Sequence, residues 1–297
     1  VNRLLIVGCG DVARRALPWL LRRCRVYATV RSAAQAQRLR ASGVTPIRAD
    51  LDRRSTLARI AGIAGLVLYS APPQAHGAHD ERARHLAARL ASGRSLPRRI
   101  VYIGTSGVYG DCRGERVPET RPPAACTPRA QRRLDAERVL RRFGRRRGVA
   151  VSILRSPGIY AADRLPIDRI RRGDPVLRQS EDVFTNHIHA DDLARLCALA
   201  LFRARPGRAY NACDDSSIRM GDYFDLVAGT FDLPPPPRVS RAEAARRLSP
   251  MTLSFLAESR RLDNTRIKRE LRARLRYPDV RAGLAAARGQ GAVEPPC

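Results

Sequence analysis

Arg3 to Ala13 reads RLLIVGCGDVA, and the fold depends on how this stretch is parsed. Leu4, Leu5, Ile6 and Val7 form an unbroken apolar run, the pattern of a parallel strand covered on both faces, and Gly8-Cys9-Gly10 ends it. From Asp11 onward Val12, Ala13, Ala16, Leu17, Leu20 and Leu21 recur at helical spacing, so strand, glycine turn and helix form one βα unit. Gly8 then permits the tight turn. Gly10 lets backbone N–H groups approach a pyrophosphate at the positive end of the helix dipole. Ala13 stands where the third position of G-x-G-x-x-G/A allows close packing. Gly8, Gly10, Asp11 and Val12 are therefore candidate dinucleotide-binding residues; the alternative is a glycine-bearing turn that binds nothing.

Outward from this unit the alternation continues. Arg25 to Val30, Thr45 to Arg48, Gly65 to Tyr69, Arg99 to Ile103 and Ala150 to Leu154 read as strands, and helices are expected near 33–41, 55–61 and 80–90. The pattern predicts an α/β fold, a doubly wound parallel sheet over residues 1–155, with loops and helices of 156–297 building a smaller substrate lobe over its carboxyl edge. An acid near the end of the second strand ordinarily bonds the ribose of NAD, yet no Asp or Glu occurs between Asp11 and Asp50. Arg31 stands there instead, suited to a 2′-phosphate, so NADP is expected ahead of NAD. Asp50 either accepts a bond from an adenine amine or caps the following helix. Ser70 and Ala71 open a stiff turn at the carboxyl edge, where ligands lie in open sheets.

Composition narrows the classes. The 297 residues carry a net charge of +28, with 56 Lys and Arg of which Lys268 is the only lysine. Arginine thus fills nearly every basic position whatever its local role, which reads as a compositional bias. The densest cluster, Arg141, Arg142, Arg145, Arg146 and Arg147, has no interleaved aromatics or nucleic-acid motif beside it and reads as a solvated helix end. No apolar run has the length of a membrane span, and the first strand starts almost at Val1, leaving no room for a signal peptide, so a cytoplasmic protein is expected. The 7 cysteines are odd in number and show no C-x-x-C pairing, which argues for reduced thiols over disulfides or zinc. His76 and His79 share a spacing but have no third metal ligand nearby, so no metal is expected.

The strand at Arg99 runs into Gly104-Thr105-Ser106-Gly107-Val108-Tyr109-Gly110. Pro118-Glu119, Thr127-Pro128, Ala136-Glu137, Leu154 to Tyr160 (LRSPGIY), Asn186 to Ala194 (NHIHADDLA) and Tyr210-Asn211 follow. Together these resemble the extended short-chain dehydrogenase/reductase family, the NAD-dependent epimerase/dehydratase group, over most of the chain. The resemblance implies that Thr105 hydrogen-bonds the reacting oxygen, and a hydroxyl at a strand's carboxyl end suits that role on its own terms. It also implies a proton-transferring tyrosine, with a lysine four residues later that holds the nicotinamide ribose. These positions fall on Arg129 and Arg133. An arginine stays protonated and is a poor proton shuttle. Arg129 then either clamps an anionic substrate group, leaving Thr105, Ser106 or Tyr109 to orient the reacting oxygen, or is merely an exposed helix residue; Arg133 can still bond a ribose.

The family further implies that Pro157 and Gly158 shape a strand-to-loop turn with Tyr160 near the nicotinamide, and that 186–203 returns to the main domain. Arg164 and Arg169 to Arg172 either face an acidic substrate or are solvated. His187, His189, Asp191 and Asp192 invite a metal, but Asp191 or Asp192 as a helix cap is the simpler reading. Asp214 to Ser217 is expected to start a helix, and Pro234 to Pro237 to form a rigid linker. Leu248, Leu253, Phe255 and Leu256 should cover the lobe, and Gly289 to Cys297 should fray.

The expected function is an NAD(P)-dependent oxidoreductase or epimerase-like enzyme acting on a small carbonyl, alcohol or sugar-like substrate. A non-catalytic NADP(H) sensor and a nucleic-acid-binding protein are the alternatives. If the arginine excess is compositional, binding to random duplex DNA at physiological salt should be weak and indifferent to sequence in a filter-binding or anisotropy titration; tight, sequence-selective binding would overturn the enzyme reading.

Overall fold

A computed structural model describes residues 2–289; Cys297 and the rest of the segment expected to fray beyond Gly289 lie outside them. The apolar run becomes β1 (Asn2–Val7), in which Leu4 to Val7 are fully buried. It is followed by α1 (Asp11–Leu21), β2 (Cys24–Val30), α2 (Ala33–Ala41) and β3 (Thr45–Arg48). The expected helix near 55–61 is a 3-10 helix, Arg54–Ile60. Next come β4 (Leu66–Tyr69), α3 (Glu81–Ala91), β5 (Arg99–Thr105), β6 (Arg116–Val117), α4 (Pro128–Arg147) and β7 (Ala150–Ser156).

Beyond β7 the chain forms β8 (Gly158–Tyr160), α5 (Ile167–Arg171), β9 (Val176–Leu177), β10 (Phe184–Thr185) and β11 (His187–His189). Then follow α6 (Ala190–Arg203), β12 (Ala209–Asn211), β13 (Ile218–Arg219), α7 (Met220–Thr230) and β14 (Arg238–Val239). The last elements are α8 (Arg241–Arg247), α9 (Pro250–Leu256), β15 (Arg261–Leu262), α10 (Thr265–Glu270) and α11 (Val280–Gly289). Seven strands make one parallel sheet in the order β12-β7-β5-β4-β1-β2-β3. The direction of winding reverses between β1 and β4, and a crevice forms where such a reversal occurs.

The sheet is buried on both faces. One core joins it to α1 and α6 through Ala13, Leu17, Leu20, Leu193, Cys197 and Leu201; the other joins it to α3 and α4 through Leu86, Leu90, Ala136 and Leu140. α6 thus packs against α1, with Trp19 and Phe202 edge to face at 5.5 Å. β12 adds a seventh strand against β7, which the sequence reading lacked because three residues are too few to show a period. The lobe has its own core of Tyr160, Ile167, Ile170, Tyr223, Phe224, Val227 and Leu284. Beneath the sheet edge, Arg155 donates to both carboxylate oxygens of Glu137 at 3.0 and 2.8 Å, a buried pair that ties α4 to β7.

Several local expectations are corrected. Neither Asp191 nor Asp192 caps α6. His189 is the N-cap, its Nδ1 accepting from the Asp191 N–H at 3.2 Å. Asp192 instead accepts from the Arg276 and Tyr277 N–H groups, and Asp191 from Arg15 on α1. Asp214 starts no helix; α7 begins at Met220, and Asp214 accepts from the Ser216 N–H in a local turn. Leu248, Leu253 and Leu256 do pack in the lobe, but Phe255 is exposed at the mouth of a cavity. Of the described cysteines only Cys126 is exposed.

Gly8 fixes the turn at the crevice. Its φ is +90°, and a Cβ placed there would lie 2.5 Å from the Ala71 nitrogen. Gly8→Ala combines a left-handed backbone with a backbone collision, so it should lower stability by at least about 1–3 kcal/mol, read as an earlier urea midpoint at unchanged slope.

Candidate active site

A groove runs across the carboxyl ends of β1, β4 and β5, lined by Gly8, Gly10, Asp11, Val12, Ala13, Ser70, Gly104, Thr105, Arg129, Arg133, Ser156, Pro157, Ile159 and Arg164. The Gly8 N–H donates to Thr29 Oγ1 at 3.1 Å, and Ser70 Oγ donates to the Gly8 carbonyl at 2.5 Å, so side chains from β2 and the β4 turn pin the glycine loop. Gly10 precedes α1 with no side-chain cap, which leaves first-turn N–H groups open toward the groove, and a Cβ on Gly10 would meet nothing within 4 Å. These features fit a pyrophosphate: free donors at a helix N-terminus and a glycine whose missing side chain leaves room for the ligand rather than for protein. Asp11 would oppose the negative charge, but Arg15 at 2.9 Å and Arg164 at 3.2 Å hold its carboxylate. Ala71 is not in the groove wall. It is buried behind the turn, its backbone N–H bonded to the Val7 carbonyl at 3.0 Å, and it supports Gly8 from beneath.

At the far end, beyond β2 and β3, a recess of about 390 Å³ is lined by Arg31, Arg48, Asp50, Arg53, Ser55, Thr56 and Arg59 among others. Asp50 caps no helix: it accepts from the Asp52 N–H at 3.0 Å, and the 3-10 helix that follows has Arg53 as N-cap. Ser32 caps α2, accepting from the Gln35 N–H at 3.3 Å.

At the reaction end Thr105 is half-buried at the tip of β5, its Oγ1 accepting from the Gly107 N–H at 3.2 Å, so the hydroxyl proton is left to donate. Arg133 lies in the groove wall, but its Nη1 donates inward to the Tyr102 hydroxyl at 3.1 Å and the Ile103 carbonyl at 3.0 Å. Arg129 stands between the groove and a second, larger cavity and belongs to the wall of both. Burial, and then the neighbouring Arg133 charge, lower its pKa. Tyr109 is a correction. It is buried, reaches neither groove nor cavity, donates to Asn211 Oδ1 at 2.8 Å, and packs under Arg155 at 4.8 Å. Its phenol is pushed up to about 12 by burial and stays protonated, and its place outside both spaces keeps it away from a bound molecule.

The second cavity has a volume of about 830 Å³ between the sheet edge and the lobe. Thr105, Arg129, Pro157, Ile159 and Arg164 line both it and the groove, so the two spaces adjoin. Its walls also hold residues that sequence reasoning did not assign to a site: Phe184, Asn186, Met220, Tyr223, Phe224, Met251, Glu258 and Arg260. They come from β10, α7, α9 and the loops between the lobe's elements, which no single stretch of sequence brings together. His187 was visible as part of a metal-like cluster, but among the described residues no group of three His, Cys, Asp or Glu side chains is placed to hold a metal. Its ring lies 4.2 Å from Tyr223 and edge-on to Tyr160 at 6.1 Å. Tyr160 itself is buried, its hydroxyl donating to the Asp279 carbonyl at 3.3 Å. Arg164 and Arg169 face the cavity, whereas Arg171 and Arg172 pair with Asp168 and Asp174 outside it.

The profile of the NAD dependent epimerase/dehydratase family matches residues 12–213, and the chain belongs to that family. A functionally unknown conserved protein from Silicibacter pomeroyi is 30% identical over 99% of this chain and 100% of its own, with a TM-score of 0.79. UDP-glucose 4-epimerase from Thermotoga maritima is 16% identical over 95% of this chain and 96% of its own, with a TM-score of 0.76. UDP-glucuronic acid 4-epimerase from Bacillus cereus, solved with NAD, is 15% identical over 97% and 99%, with a TM-score of 0.74. The last two share the fold. No curated protein matches the sequence. No helix among the described residues is long and apolar enough to cross a membrane.

Behind the cavity wall Asp214 is 3% exposed, with Oδ2 unpartnered, and burial raises its pKa to about 7. A folded-state pKa above the ordinary 3.8 means that the stability it carries is complete below that value and is lost as pH rises through about 7. Asp214→Asn should therefore gain on the natural protein by on the order of 2–4 kcal/mol between about pH 5 and 8. Urea melts at the two pH values test this; a constant difference would show that Asp214 does not titrate there.

Proposed function

We propose that the protein is an NADP(H)-dependent oxidoreductase or epimerase-like enzyme acting on a small carbonyl or alcohol substrate. One observation supports this reading: Thr105, Arg129, Pro157, Ile159 and Arg164 line both groove and cavity, so a cofactor's reactive end in the one would lie beside a second molecule in the other. When bound, the nicotinamide supplies or takes up a hydride. The chain's own residues do the rest. Thr105 donates a hydrogen bond to the reacting oxygen, Arg129 holds negative charge beside it, and the cavity walls exclude water. Arg129 takes no part in proton transfer, so the proton comes from bound water or from the substrate. The presence of arginine at both family positions also supports a second reading, a sensor that binds cofactor without turnover.

The choice of NADP rests on the recess beyond β2, where Arg31, Arg48, Arg53 and Arg59 surround the space and Asp50 is the sole acid among its lining residues. Ligand at about a hundred times its dissociation constant adds roughly 2.7 kcal/mol to stability. NADP(H) should accordingly raise the melting temperature more than NAD(H) at equal concentration, and Arg31→Ala should shrink that difference. Equal shifts would remove the arginines from the argument. Thr105→Val should leave the shift intact while lowering turnover by up to about 10²–10³, the worth of one donor at a developing oxyanion. Cofactor binding with no hydride transfer to any carbonyl would favour the sensor.

A further inference from the structure

On the reading that this cavity holds the substrate, its chemistry narrows what the substrate is. Most of its charged groups already have partners: Arg164 pairs with Asp11 at 3.2 Å, Arg169 with Asp174 at 3.4 Å and Arg260 with Glu258 at 2.6 Å, and Arg132 donates to the Gly77 carbonyl at 2.9 Å. Arg129 is different. Among the described residues it has no carboxylate or carbonyl partner; the Phe255 ring lies at 5.9 Å, and the Arg133 charge is close enough to repel it. Arg129 is exposed, and its unpaired guanidinium at the junction with the cofactor groove is free to receive an incoming anion, its fork matching a carboxylate.

The surrounding wall is largely apolar. Phe184, Met220, Tyr223 and Phe224 line the interior, and Met251 and Phe255 stand at the mouth with 70% and 51% of their surface exposed, area that a bound apolar body would cover. A ring in this wall also makes no hydrogen bond. His187 is 5% exposed, held against Tyr223, and its Nδ1 is sealed without a hydrogen bond. Burial keeps the ring neutral. A proton on Nδ1 would be a buried N–H with no acceptor, so it resides on Nε2, which is not sealed and can donate to a ligand. The strand register places this donor close to the chemistry: Thr105 pairs with Ser156, and Gly158, two residues on, pairs with His187.

We propose that the substrate is a carboxylic acid with an apolar body, its carboxylate on Arg129, its body between Phe184, Met220, Tyr223 and Phe224, and an oxygen acceptor on Nε2 of His187. A sugar fits less well, because its hydroxyls would meet aromatic walls and side chains already engaged with one another.

Phenylpyruvate carries all three features, phenylacetone lacks only the carboxylate, and UDP-glucose carries the polar alternative. Each is titrated calorimetrically into the full chain saturated with NADP⁺ or NAD⁺, whichever binds more tightly, a mixture in which the oxo acid has no hydride to accept. Phenylpyruvate should bind about ten- to a hundredfold more tightly than phenylacetone, the worth of a charge-assisted hydrogen bond, and more tightly than UDP-glucose. Arg129→Ala should erase the advantage over phenylacetone. His187→Phe should weaken both ketones by the same factor, and His187→Gln, which restores a donor, should recover part of it. UDP-glucose as the tightest ligand, an unchanged ratio in Arg129→Ala, or no binding of the acid to cofactor-loaded protein would overturn the proposal and leave the cofactor reading standing. Failure of both dinucleotides to bind would overturn the reading beneath it.

Discussion

The close approach of Gly8 to Ala71 is the constraint on which the site depends. β1 and β4 run side by side, and their ends diverge into chains that wind in opposite directions. The Ser70 and Ala71 N–H groups both bond the Val7 carbonyl, so the second turn lies directly against the first. Only a residue without Cβ fits, and only one at ease with a φ of +90°. Because Gly8 yields to Ala71, the chain lifts at Gly10 and presents the first turn of α1 to the crevice. The packing that closes the sheet and the geometry that receives a phosphate are one arrangement.

A second dependence runs between the two parts of the molecule. Arg15 on α1 bonds Asp11, Asp191 and Asp163, and Arg164 also meets Asp11. A single network thus ties the glycine loop to the start of α6 and to the lobe. Exposed ion pairs are individually weak, but these share partners, and those of Arg15 with Asp11 and Asp191 are half-buried, so their value lies in fixing orientation. The placement of Arg164 over the groove follows from it.

The fold was legible because its signals are periodic and local. Apolar runs marked the long strands, helical spacing marked α1, and the end of β2 showed its missing acid. What was not legible depended on tertiary partners. Asp191 and Asp192 look like helix caps in sequence, but Arg15 and the Arg276 and Tyr277 N–H groups claim their oxygens. Tyr109 sits in a motif that suggests chemistry, and Asn211 and Arg155 take it into the core. The cavity wall was the least visible part, since Phe184 on β10, Met220 and Tyr223 on α7, and Glu258 beyond α9 are brought together only by the lobe's fold. Cofactor sites read well from sequence because one βα turn carries most of the contacts; substrate sites read poorly because no single segment does.

The arginine excess obscured the one arginine that carries information. In a chain where this residue fills almost every cationic position, identity alone says nothing about role; partnership does. Arg155 is buried against Glu137, Arg133 is turned toward Tyr102, and Arg164 and Arg169 face acids of their own. Their charges are already neutralised or directed inward, so they add structure more than field. Arg129 occupies the position from which the family resemblance would have a tyrosine move a proton, and it keeps its charge uncompensated beside Thr105. Arg129 is exposed to solvent, so its guanidinium carries its charge without a protein partner and stays available to a bound anion. On the proposed reading, the substitution exchanges a group that moves protons for one that selects charge, and the selectivity of the site would follow from that exchange.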